Sequence, residues 1–269
     1  MTERVASLPM YDFDRASVEA WWRGLAHALR SEGLGEVPSS LAWPGDLDAH
    51  WRDPRLLLSQ TCGYPLVTRL KNAVQVVGAF RYSAPGCTGI HYRSELIARS
   101  GEGAAIEDFR GRTAAINSFD SHSGANALHA LVAPLAVDGT FFGGRVLTGS
   151  HRRSVEAVQT GTADIAAIDC VTLAGLRRHA PAAFIGLQHI GSTTAAPGLP
   201  LITAVTIGAA ELRALQRALV SACRDPALAD VREALFISGF EVAAASDWHV
   251  IEELRLAATP ALGSEPEPG

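Results

Sequence analysis

Short apolar runs alternate with amphipathic stretches along most of this 269-residue chain. Runs at 5–8, 56–59, 74–80, 113–116, 146–147, 163–168, 184–189, 201–207 and 236–240 predict strands, with a longer one over 91–98. Between them, apolar positions recur every three or four residues. Val18, Trp21, Trp22, Leu25 and Leu29 fall on one side of a helix predicted over 15–30. Further helices are predicted at 152–160, 171–178, 210–223 and about 248–256. Strands alternating with helices of this length predict an α/β fold with mainly parallel sheets. The polar turns then fall at strand ends, where such sheets bind ligands. The tail GSEPEPG, from about residue 263, is expected to be disordered.

One strand–turn–helix unit stands out, RTAAINSFDSHSGANALHALVAPL over residues 112–135. The apolar run Thr113 to Ile116 feeds a cluster of small polar residues, Asn117, Ser118, Asp120, Ser121, His122 and Ser123, closed by Gly124. Ala127, Leu128, Leu131, Val132 and Leu135 then take helical spacing. The first N–H groups of a helix lack internal partners, and serine hydroxyls beside them add rotatable donors. Such a turn suits a small oxyanion. The plainer reading is that Ser121 or Ser123 caps the helix.

Composition narrows the field. With 48% hydrophobic and 19% charged residues the chain can build a substantial core. Its net charge of −5, without a basic stripe, argues against nucleic acid. No apolar run approaches the ~20 residues that a membrane span needs. The opening MTERVASLPMYD has neither the charged nor the apolar region of a secretion leader. The expectation is therefore a cytoplasmic protein as written, or a periplasmic one after removal of a leader. Phosphate-loop, dinucleotide, nucleophile-elbow and zinc-protease patterns are all missing. Ser121 or Ser123 with His151 and Asp169 has the residue types of a hydrolase, but no motif that activates a nucleophile. A metal site would have to be assembled from His91, His122 and His151 without ligand spacing to support it. No cofactor or metal is expected. Cys62 and Cys87 lie in turn-like contexts, open to a disulfide or to buried free thiols.

The phrases LLLSQTCGYPL, GCTGIHYRSELI, EDFRGRTAAINSFDSHSG, TGSHRRSVEAVQTGTADIAAIDCVT and APGLPLIT, in that order, resemble the PhnD-like phosphate/phosphonate-binding family. These are solute-binding proteins of ABC transporters with the two-lobe type II periplasmic-binding-protein fold. The resemblance implies a non-enzymatic protein that captures a phosphate- or phosphonate-like oxyanion in a cleft between lobes and passes it to a permease. It implies lobe one at 1–86 plus 184–269, an inserted lobe two at 87–183, and hinges at Ala84-Pro85-Gly86 and near Ala182-Ala183.

The family's S-x-S-G turn maps onto Ser121-His122-Ser123-Gly124, with histidine replacing the middle hydroxyl. Tyr92 and His151 match a tyrosine and a histidine that reach the oxyanion. Gln60 and Thr61 occupy a turn where lobe one presents polar groups. Tyr11 follows the first strand, where it would line the cleft or simply sit at the surface. Asp169 ends a strand, where it would face the ligand or cap the next helix. Aminophosphonate binders carry an acidic residue in a P-G-x-P segment; here that segment is Pro197-Gly198-Leu199-Pro200. The alternative is a soluble enzyme or ligand sensor on the same fold, acting on a small phosphorylated or neutral metabolite.

Overall fold

The computed structural model describes residues 3–262, so the tail predicted to be disordered lies outside the described residues. In chain order the strands are β1 (Val5–Ser7), β2 (Leu56–Gln60), β3 (Val74–Tyr82), β4 (His91–Tyr92), β5 (Ser94–Arg99) and β6 (Thr113–Ile116). They continue as β7 (Gly144–Leu147), β8 (Ile165–Asp169), β9 (Leu187–Ser192), β10 (Ala196–Pro197), β11 (Pro200–Ala204) and β12 (Ile237–Glu241). The chain divides into two compact units, Met1–His91 with Pro197–Trp248, and Tyr92–Ala196 with His249–Gly269.

The first unit is built on a five-stranded sheet ordered β1-β2-β11-β3-β12. Asp14 caps the helix Arg15–Ser31, its carboxylate accepting from the Ser17 amide at 3.1 Å. That helix buries the predicted stripe, from Val18 to Leu29. With the helix Ala209–Arg224 it covers Leu57, Leu58, Val77, Phe80 and Phe240 of the sheet in one core. Burying Trp21, Trp22 and the leucines around them stabilises this unit by about 1.5–3 kcal/mol per large apolar side chain.

The second unit holds a sheet ordered β7-β6-β8-β5-β9. Alternation along its strands feeds two cores. Leu96, Ala98, Ala114, Ile165 and Ala167 face one, with Phe109, Leu128 and Phe141. Ile97, Ala115, Ala166 and Ile168 face the other, with Val155, Val158 and Leu176. Two-sided burial explains why β8 reads as an unbroken apolar run.

The α/β class and two-lobe architecture are as expected, and several details are corrected. The sheets are mixed, as expected, but with a larger antiparallel share than the mostly parallel sheets expected. β1–β2, β6–β7 and β6–β8 pair in parallel. The strands β5, β9, β11 and β12 run antiparallel to their neighbours, because the chain returns through them instead of winding on by helical crossovers. The run 91–98 breaks at Arg93 into β4 and β5.

The expected strand at 184–189 begins later. Pro181–Phe184 is a 3-10 turn, and Gly186, at φ +78°, redirects the chain into β9. The chain crosses between units at 91/92 and 196/197, later than the hinges expected at 84–86 and 182–183. The short strands β4 and β10 at these crossings pair with each other. Segment 184–196, expected in lobe one, belongs to the second unit because β9 pairs with β5. The helix His249–Leu262 joins that unit too, with Asn126 Nδ2 donating to Ile251 O at 3.2 Å.

Candidate functional site

The strand β6 ends at Ile116 and delivers the polar turn. Ser118 O accepts from the Ser121 amide at 3.2 Å, and the Ser118 hydroxyl bonds the Asp120 carboxylate. The chain then enters a helix through a π-turn, His122–Asn126, in which the Asn126 amide donates to Ser121 O at 3.0 Å. Such wide turns recur at functional sites. The helix proper spans only Ala127–Val132.

Within the turn the two serines do different work. Ser121 is the N-cap, its Oγ accepting from the Gly124 amide at 3.1 Å. Its capping role is therefore seen directly. Ser123 caps nothing. Its Oγ sits 2.9 Å from His151 Nε2, and its carbonyl accepts from Ser94 Oγ at 2.8 Å. Both serines are buried.

His151 arrives from β7 through the turn Thr148-Gly149-Ser150. Ser150 caps the helix His151–Gln159 by accepting from the Arg153 amide at 3.3 Å. Burial pushes the imidazole down to about 4, and the Ala167 carbonyl offsets only part of that. At neutral pH the ring is uncharged.

His122 is buried on the same turn, its pKa lowered to about 4 by burial. Its Nδ1 lies 3.0 Å from Asn126 Nδ2, and its ring centroid 6.2 Å from that of Tyr92. The second unit thus brings Tyr92, Ser121, His122, Ser123 and His151 into one neighbourhood. Asp169 is buried at the end of β8, where Oδ1 accepts from the Val171 and Thr172 amides at 2.7 and 3.1 Å. This is the capping role that the sequence offered as the alternative to ligand contact.

The remaining candidates lie in the first unit. Gln60 is buried, and its Nε2 donates to Tyr82 Oη at 2.8 Å. Tyr11 packs edge-on to the same Tyr82 ring, centroids 5.1 Å apart. Thr61 is fully buried, its amide donating to Pro200 O at 3.1 Å. Cys62, Cys87, Cys170 and Cys223 are not joined in disulfides. Among the described residues, no group of three or more His, Cys, Asp or Glu side chains is placed to hold a metal. Nor is any described helix long and apolar enough to cross a membrane.

Three contributors were not singled out from sequence. Ser94 supports the Ser123 carbonyl from β5. Asn126 holds His122. Asn117 packs its Oδ1, buried and without a hydrogen-bond partner, against Gly124; a Cβ built on that glycine would lie 1.8 Å from it. Asn117 stood in the polar cluster, the only signal the sequence carried for it.

Solved structures share the fold. A binding-protein component of an ABC phosphonate transporter from Pseudomonas aeruginosa superposes with a TM-score of 0.77 at 18% identity, over 97% of this chain and 88% of that one. PhnD1 of Prochlorococcus marinus, in complex with methylphosphonate, gives 0.75 at 13% identity, over 94% and 97%. An ATP-bound protein of Xanthomonas citri, XAC2383, gives 0.71 at 15% identity, over 97% and 98%. No curated protein matches the chain by sequence. The family model for ABC-transporter periplasmic phosphonate substrate-binding proteins matches residues 56–248, a stretch that includes the serine turn, His151 and β11. The chain therefore belongs to the phosphonate-type periplasmic substrate-binding proteins of ABC transporters, a family of transport receptors and not of enzymes.

Proposed function

We propose that this protein binds a small phosphorus oxyanion, phosphonate- or phosphate-like, at the turn Ser121-His122-Ser123-Gly124 and presents it to an ABC-transporter permease. The observation that carries this reading is the pairing of Ser123 with His151. A serine needed only to cap the helix would resemble Ser121, whereas Ser123 is instead bonded to an uncharged histidine from another strand end. Neutral hydroxyl and imidazole groups are the donors and acceptors that bind an anion without adding fixed charge. Recognition has to be local, since the net charge of −5 opposes an anion at long range.

The ligand is read as lacking a cationic amine. Leu199, apolar and buried, stands in the P-G-x-P slot where an acidic partner for that amine is expected. Tyr92 belongs to the proposed site with the serines, His122 and His151. Asp169 holds the local backbone in place. The periplasm is the compartment that fits this role.

Isothermal titration with methylphosphonate, inorganic phosphate, aminoethylphosphonate and sulfate tests the proposal. Saturable binding of methylphosphonate or phosphate, with aminoethylphosphonate weaker, is the expected result. If none of the four binds, the turn is a structural helix entry and the ligand belongs to another class.

A further inference from the structure

The side-chain amide of Asn126 bonds two groups at once. Its Nδ2 lies 3.0 Å from His122 Nδ1 and 3.2 Å from the Ile251 carbonyl oxygen, and both side chains are buried. A carbonyl oxygen only accepts, so the atom facing Ile251 must be the amide nitrogen and not Oδ1. The same nitrogen, with its second hydrogen, then donates to His122. His122 Nδ1 must therefore be the bare nitrogen of the ring, and a neutral imidazole with a bare Nδ1 carries its proton on Nε2. A doubly protonated ring would set an N–H of its own against the amide hydrogens.

We propose that Asn126 is a positioning residue that locks His122 as the Nε2–H tautomer. The turn between Ser121 and Ser123 thereby carries one neutral ring donor of fixed orientation. This role deepens the reading of the turn as an oxyanion site and rests on it for its consequence in binding. The device also ties the π-turn His122–Asn126 to the helix His249–Leu262, through a bond that spans 125 residues of sequence. The centroid of the Tyr92 ring, 6.2 Å from that of His122, lies against the same fixed imidazole.

The test uses the whole chain labelled with ¹⁵N-histidine, with the ring tautomer of His122 read from two-bond ¹⁵N–¹H correlations at pH 7. The assignment comes from the His122→Ser spectrum. The wild-type protein should show the Nε2–H pattern. Asn126→Asp replaces the donor with a carboxylate and should move the ring toward Nδ1–H. Asn126→Leu, which removes the bond, should lower methylphosphonate affinity about tenfold, as expected for one lost buried hydrogen bond.

A wild-type Nδ1–H ring overturns the proposal, as does a tautomer unchanged in Asn126→Asp. The wild-type spectrum decides even if both variants fail to fold. An Nε2–H ring in a protein that binds no oxyanion would leave the tautomer lock standing and sink the functional reading. An Nδ1–H ring in a protein that binds methylphosphonate would do the reverse.

Discussion

Ser123 Oγ and His151 Nε2 meet at 2.9 Å across 28 residues of sequence, joining the turn after β6 to the helix that follows β7. Because β6 and β7 pair in parallel, both turns leave the same end of the sheet, and the contact follows from the register Ile116↔Leu147. Ser123→Ala leaves both ring nitrogens of His151 buried without a side-chain partner. A loss of about 1–3 kcal/mol is expected, read as a drop in Tm of about 2–4 °C per kcal/mol. Methylphosphonate binding should fall with it, and Ser121→Ala combined with Ser123→Ala should abolish binding while the far-UV spectrum is kept. Full affinity in that double variant would remove the serine turn as the site.

Gly124→Ala is expected to destabilise the second unit by about 1–3 kcal/mol, the usual cost of overpacking. The new methyl group would stand 1.8 Å from Asn117 Oδ1 and 3.2 Å from His151 Cε1. Asn117→Ala in the same chain should recover most of the loss, because it removes the closer clash. Urea unfolding of the two single variants and the double variant measures that coupling. Additive effects would show that the two residues do not share the space.

Acid should weaken the fold earlier than carboxylate titration would. Burial lowers His122, His129 and His151 to about 4, with Arg145 adding to the effect at His129. Unfolded histidine titrates near 6.5, so between about pH 6.5 and 4 the unfolded chain binds more protons than the native one. Stability is complete above that window and falls as pH drops through it. Three such groups give a slope of up to about 4 kcal/mol per pH unit near pH 5. Urea midpoints at pH 7, 6 and 5 check this, and equal midpoints at pH 7 and 5 would refute it.

Arg99 uses its whole guanidinium. It bonds Glu102 through Nε and Nη2, Asp164 through Nη2, and the Val158 and Ala163 carbonyls through Nη1. This ties β5 to the loop before β8. Arg99→Met should cost about 1.5–3 kcal/mol, as losing charge-assisted hydrogen bonds in a partly buried network does. Arg99→Lys should rescue little, since an ammonium cannot reproduce the fork. A lysine variant as stable as the wild type would contradict the geometry.

The sequence by itself determined the local elements. The helix Arg15–Ser31 and the strand Thr113–Ile116 stand where the apolar period placed them, and Asp14 and Ser150 cap where a polar residue precedes a helix. Those signals act between residues a few positions apart, where backbone geometry alone imposes the period. The resemblance carried by its motifs added the two-lobe architecture and marked out Ser121, Ser123, Tyr92 and His151.

Only the tertiary structure decided which distant elements meet. β9 and the helix His249–Leu262 belong to the second unit because of pairing with β5 and the Asn126–Ile251 bond. Neither contact leaves a periodic trace, since an edge strand and an amphipathic helix look alike whichever sheet or helix they join. The same holds for Asn126 and Ser94, ordinary small polar residues whose roles arise when the fold removes water and leaves each polar group to find a partner, and for Asn117, which fills the space beside Gly124.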